Sequence, residues 1–214
     1  MKHGNTPAHQ TTRRLRLTAC AAALAMAFTV ALLQAVLAGE ILPPPVPDPL
    51  EVPARNQVFL KGHAVGTQNY ICLPADSSVA WTFFGPQATL FNDKDRQIIT
   101  HFLSPNPDER GTARATWQHS RDTSTVWAMA IASSSDPNVV ETGAIPWLLL
   151  QIVGAEPGPA GGDRLTRTTF IQRLNTAGGV APPTGCARST DVGQRALVSY
   201  TAEYFFYKAA DSER

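Results

Sequence analysis

From Gln57 onward, apolar and polar side chains alternate with a period of two. That period commits the chain to extended strands with one face buried. Val58, Leu60, Gly62 and Ala64 share one face, and Phe59, Lys61 and His63 share the other. Gly66 is expected to turn the chain, after which Gln68, Tyr70 and Cys72 lie on one face of the next strand. Val79, Trp81 and Phe83 then alternate with Ala80, Thr82 and Phe84, and Gly85-Pro86 is expected to end the run. "QATLFND" and "QIITHFL" flank the turn-like Asn92-Asp93-Lys94-Asp95 and predict a hairpin. Ala113, Ala115 and Trp117 oppose Arg114, Thr116 and Gln118, and Thr125, Trp127, Met129 and Ile131 continue the pattern beyond a turn. "IPWLLLQIV" is an unbroken apolar run short enough for a strand covered on both faces.

Between these runs lie "SPNPDERG", "SSSDPN", "GAEPGPAGGD" and "NTAGGVAPPTGC". Such frequent Gly, Pro, Asn and Asp clusters fit an all-β fold with many turns, and no segment carries a helical stripe beyond two turns. The expected architecture is all-β: one domain of about ten strands, a β-sandwich of two packed sheets or a flattened barrel. Ahead of it, "ILPPPVPDPLEVP" holds six prolines, which fix φ and remove donors, so residues 39–55 are expected to form an extended arm or tether. The β-rich domain is assigned to residues 56–208 and a polar tail to residues 209–214.

The first 38 residues have the three parts of a secretory signal peptide. Lys2, Arg13, Arg14 and Arg16 make a basic start with no acidic residue before Glu40, residues 17–33 are almost wholly apolar, and Val36-Leu37-Ala38 offers a small-residue cleavage site. A retained membrane anchor is the competing reading, because the apolar stretch approaches the ~20 residues that span a bilayer. Cys20 resembles an acylated lipoprotein cysteine, but it precedes the hydrophobic stretch instead of following it. Cleavage after Ala38 predicts export to the periplasm or beyond the cell, with no membrane attachment afterwards.

Cleavage also changes the charge. The whole chain has 18 basic and 17 acidic residues; without the four basic residues of the signal, 14 remain against 17. A mildly acidic domain with no run of Lys or Arg lacks the footprint of a nucleic-acid binder. Of the three cysteines, Cys72 and Cys186 remain. In an oxidising compartment they could form a bridge closing a long loop, or stay as two buried thiols.

No nucleotide-binding glycine motif, G-x-S-x-G elbow or H-E-x-x-H is present. Three histidines remain after cleavage. His63 lies on the Lys61 face, His119 sits near a turn and is expected to be solvated, and His101 shares a face with Ile99 and Leu103. Three imidazoles could surround a metal, but nothing in their spacing brings them together, and neither a metal nor a cofactor is assigned. Among the carboxylates Asp122, Glu141, Asp163 and Glu203, only Glu203 sits in an aromatic strand, at a position expected to face solvent. Gln172, Arg173 and Asn175 in "FIQRLNT" form a short polar run. The guanidinium fork of Arg173 could meet a carboxylate or a sugar; the plainer expectation is an internal pairing that pins a strand end. The tryptophans and tyrosines could form a sugar-stacking platform, but most occupy inward positions and are expected to be core.

Four segments, "GTQNYICLP", "AIPWLLL", "FIQRLNTAGGVAPPTGC" and "YTAEYFFYK", resemble in order and spacing the domain-of-unknown-function family numbered 3455, over residues 47–208. The resemblance implies an exported single domain with Cys72 paired to Cys186, and no established activity. The region holding His101 and Trp117 is longer than the His-x-x-Gly-Pro-x-Trp form associated with that family. The first functional expectation is a non-catalytic extracytoplasmic binding or structural module, its partner a small molecule or a carbohydrate. The second is a small hydrolase or metal-assisted enzyme centred on His101. Gln68, Tyr70, His101, Trp117, Gln172 and Arg173 are the candidate binding residues.

Overall fold

The computed structural model describes residues 41–210 together with Met1. The expected signal peptide and most of the polar tail lie outside the described residues. Pro43–Arg214 is one compact unit; of the other unit, Met1–Leu42, only three residues are described.

The alternation resolves into eight antiparallel strands. These are β1 (Asn56–Ala75), β2 (Ser78–Phe91), β3 (Gln97–Asn106), β4 (Thr112–His119), β5 (Thr125–Ser134), β6 (Trp147–Glu156), β7 (Thr168–Gly178) and β8 (Arg195–Ala209). Each strand pairs with the next, and β8 returns to pair with β1, so the sheet closes into an up-and-down barrel. No described helix is long and apolar enough to cross a membrane.

All-β is therefore correct, but the chain makes eight strands and one closed barrel where about ten strands and two packed sheets were an option. Both surplus breaks come from glycine and proline inside continuous strands. β1 runs unbroken through Gly66, where an added Cβ would fall 2.2 Å from the Gln87 carbonyl oxygen. The missing side chain lets β1 lie tightly against β2 at a barrel bend. β2 likewise continues through Gly85-Pro86, opposite a register shift between Asn69 and Tyr70. Proline is tolerated in a ladder at such a bulge because its missing N–H coincides with broken pairing. The hairpin around residues 92–95 forms as expected, joining β2 and β3.

Closure divides the molecule into two ends. The turns β2–β3 and β4–β5 and the β6–β7 loop lie at one end. Here Leu90, Ile99, Val126, Leu165, Ile171 and Phe206 are fully buried and fill the interior. At the other end lie the β1–β2 turn, the β3–β4 and β5–β6 loops, and the long β7–β8 loop.

The proline-rich arm does more than tether. Asp48–Leu50 forms a 3-10 turn that packs on the outer face of β5 and β6, and Leu50 is fully buried. Its carbonyl accepts a 2.7 Å hydrogen bond from Gln172 Nε2. Trp127, Trp147, Leu149, Leu174 and Phe205 are likewise buried but separate from the interior cluster.

Candidate functional site

Alternation along each strand selects which side chains enter the barrel, and the register decides which of them meet. His101 on β3 pairs with Trp117 on β4, and both point inward. Their rings stack with centroids 4.2 Å apart and planes 12° off parallel. Tyr204 of β8 closes edge-on against both, at 5.4 Å from the imidazole and 5.7 Å from the indole. Arg173 of β7 pairs with Tyr204. These four residues come from two pairs of consecutive strands, β3–β4 and β7–β8, and all four line one cavity of about 340 Å³. Its walls include Ala115, Ala128, Leu148 and Leu150, and Phe83 and Met129 stand exposed at its rim.

The electrostatics follow from the partners. His101 Nδ1 lies 2.9 Å from the Thr116 carbonyl, so that nitrogen carries the proton and donates. Nε2 is left as a lone-pair acceptor. Burial, opposed by the Thr116 bond and reinforced by the charge of Arg173, holds the His101 pKa down at about 3. Arg173 donates Nε–H and one Nη–H to the Pro146 carbonyl, at 3.2 and 2.8 Å. Burial pushes the phenols of Tyr70, Tyr200 and Tyr204 up, and in each the charge of Arg173 acts the other way. Two donors here have no partner among the described residues: Trp117 Nε1 and Gln68 Nε2. Gln68 lies beside the Tyr200 hydroxyl and acts to lower its pKa, against the larger effect of burial.

The β7–β8 loop covers part of this end. Gly179, at φ +86°, passes so close that a Cβ would lie 2.9 Å from Tyr200, 3.0 Å from Ile145 and 3.1 Å from Gln68. Its carbonyl accepts the Tyr70 hydroxyl at 2.7 Å. Farther along, the loop is tied by the Cys72–Cys186 disulfide and by Trp81 Nε1, which donates to Thr184 O at 3.0 Å. The loop therefore covers the β1, β2 and β8 side, and the cavity opens beside it towards β4, β5 and β6.

Of the six candidate binding residues, His101, Trp117 and Arg173 line the cavity, and Gln68 and Tyr70 lie beside it under the loop. Gln172 faces the opposite way. One position from Arg173 on a strand means the other face, and there it bonds Leu50 O and accepts from the Tyr207 hydroxyl. Asn175 also lies apart, bonding Glu203 Oε2 at 2.7 Å. Glu203 is on the outer face, where Lys61 and His63 pair with it. His119, expected to be solvated, is instead buried and bonded to Asp122 at 2.9 Å. It borders a second cavity of about 280 Å³ at the filled end, where Arg96, Arg121 and Arg164 gather from three separate connections. Linear spacing gave no sign of that grouping. Tyr204 and Tyr200 were expected as core, and their hydroxyls join the polar cluster because of strand register, which alternation alone does not specify. Among the described residues no group of three His, Cys, Asp or Glu side chains is placed to hold a metal ion.

The family model described as "Protein of unknown function (DUF3455)" matches residues 53–208, nearly the whole barrel. The chain belongs to the DUF3455 family. In this DUF3455 protein both cysteines of the quoted segments are joined, and His101 and Trp117 form the stacked pair at the cavity wall. No curated protein and no solved structure matches the chain.

Proposed function

We propose that this chain is an exported, non-catalytic binding domain whose barrel lumen takes a small molecule beside the β7–β8 loop. The observation that carries this reading is the cavity itself, with apolar walls and a small set of polar groups converging from β3, β7 and β8. Export is supported by the signal-like first 38 residues and by a disulfide suited to an oxidising compartment.

The residues favour binding over a hydrolase centred on His101. An imidazole held near pKa 3 is a poor proton acceptor at neutral pH. No carboxylate orients it, since its one ring N–H goes to a backbone carbonyl. Neither a hydroxyl nucleophile nor a thiol lines the cavity beyond the Tyr204 phenol, which burial keeps protonated. A sugar-stacking surface has less support: Trp117, Trp127 and Trp147 are buried, and exposed Phe83 meets Tyr70 edge-on at 62°.

Tryptophan fluorescence and thermal melting of the chain from Gly39 onward, with panels of small acids, alcohols, amines and saccharides, test the reading. At least one class is expected to shift both signals saturably, and the cavity-filling exchange Ala115→Leu to remove the response. Silence across every class would overturn it.

A further inference from the structure

Arg173 is a cation in need of a counter-ion. It uses Nε–H and one Nη–H on Pro146 O and acts through a further N–H on the Tyr204 hydroxyl, which leaves donors to spare. No ion pair forms with it among the described residues, and no Asp or Glu lines the cavity. The second guanidinium at the wall, Arg114, is already neutralised by Glu109 through contacts of 2.6 and 2.7 Å. The cavity therefore holds one uncompensated positive charge.

Hydrogen-bonding capacity points the same way. The buried side-chain groups without a partner around the cluster are donors, Trp117 Nε1 and Gln68 Nε2, and Arg173 has N–H groups beyond those on Pro146 that face Tyr204 and the cavity. The acceptor left over is His101 Nε2, because its Nδ1–H is bound to Thr116. An occupant rich in acceptors and carrying one negative charge would satisfy this surplus. The rest of the cavity is apolar, from Ala115 and Leu148 to Met129 and Phe83 at the rim, the last two 37% and 45% exposed.

We infer that the occupant is an amphipathic monocarboxylate, its carboxylate held by the free side of Arg173 and its tail running along Ala115 and Leu148 to Met129. The inference rests on the lumen being a binding site. A dianion such as a phosphate monoester would bring a second charge that nothing in the cavity neutralises.

The test is calorimetric titration of the chain from Gly39 onward with octanoate, 1-octanol and octyl phosphate. Octanoate is expected to bind at least tenfold more tightly than the alcohol, and more tightly than the phosphate. Arg173→Gln is expected to bring octanoate down to the level of the alcohol, with a much smaller change in the alcohol itself. Equal affinity for acid and alcohol would overturn the carboxylate and leave the lumen reading standing, as would preference for the phosphate. If all three fail to bind while another class in the broad panel succeeds, the ligand class is wrong and the site is right. Silence in both experiments removes both.

Should Arg173→Gln not fold, the unaltered chain supplies a second readout. Lowering the pH from about 7 to about 4 protonates a carboxylic acid and should weaken octanoate at least fivefold while sparing octanol. The groups facing the cavity stay in one form over that window: His101 titrates at about 3, Glu109 beside Arg114 at about 2, and Tyr70, Tyr200 and Tyr204 are shifted up. Octanoate affinity that holds at low pH would overturn the inference.

Discussion

The His101 imidazole stands neutral in the lumen because burial and the nearby Arg173 charge both oppose a second proton. An unfolded chain has no such restraint and protonates its histidine near pH 6.5. Below that value the unfolded state binds a proton that the native state refuses until about pH 3, so stability falls on acidification and is fully retained above pH 6.5. The loss is on the order of several kcal/mol across the window. His119 acts in the same direction, its pKa also lowered by burial. Asp122 and Glu109, both held at about 2, lose their contribution only at more acid pH. Urea midpoints of His101→Gln between about pH 6.5 and 4.5 should therefore vary less steeply than those of the unaltered chain. An unchanged slope would mean that His101 does not control it. Part of this site was legible at the level of single residues, since alternation put His101 on a face with Ile99 and Leu103, and Gln68 on one face with Tyr70 and Cys72. What β3 faces across the lumen was not legible. The neighbours of a barrel strand are set by closure, so Arg173 and Tyr204 join His101 through register.

Among the elements, the arm illustrates how much a proline-rich stretch can do once one apolar residue is placed in it. Leu50 is fully buried although its neighbours Asp48 and Pro49 are exposed, and its carbonyl satisfies a side chain of β7. Leu50→Ala should destabilise the barrel by about 2–4 kcal/mol, the usual range for deleting a buried leucine side chain. Chemical denaturation would measure it, and a change below about 0.5 kcal/mol would show the arm to be peripheral. The strands themselves were largely readable. β3 and β4 follow their alternation, and the turn after Phe91 carries its own Asn and Asp signals. β5 does not: register shifts at Trp127/Ala128 and Ala130/Ala132 break its period, and Met129 and Ile131 end up exposed. Gly66 and Gly85-Pro86 misled because glycine and proline mark bends within long barrel strands as well as ends of short ones. A strand of 20 residues such as β1 must bend to stay on a closed surface, and its glycines sit where it does so.

For the whole molecule, the disulfide joins the end of β1 to a loop 114 positions later. In the chain-entropy model a loop of that length contributes on the order of 4–5 kcal/mol. The double exchange Cys72→Ser with Cys186→Ser should lower the melting temperature by roughly 10 °C or more and leave the far-ultraviolet strand signal intact below the transition. Loss of the strand signal itself would mean that the bridge is needed to form the barrel. A further consequence comes from the pairing of the first strand with the last. A chain emerging N-terminus first, from a ribosome or a translocation channel, presents β1 long before β8 exists. Throughout that interval one flank of β1 is an unsatisfied edge able to recruit other nascent chains, and Cys72 waits for Cys186, which arrives only just ahead of β8. Vectorial folding can complete only when the final strand arrives, which makes the last fifteen residues of the barrel its kinetic gatekeeper.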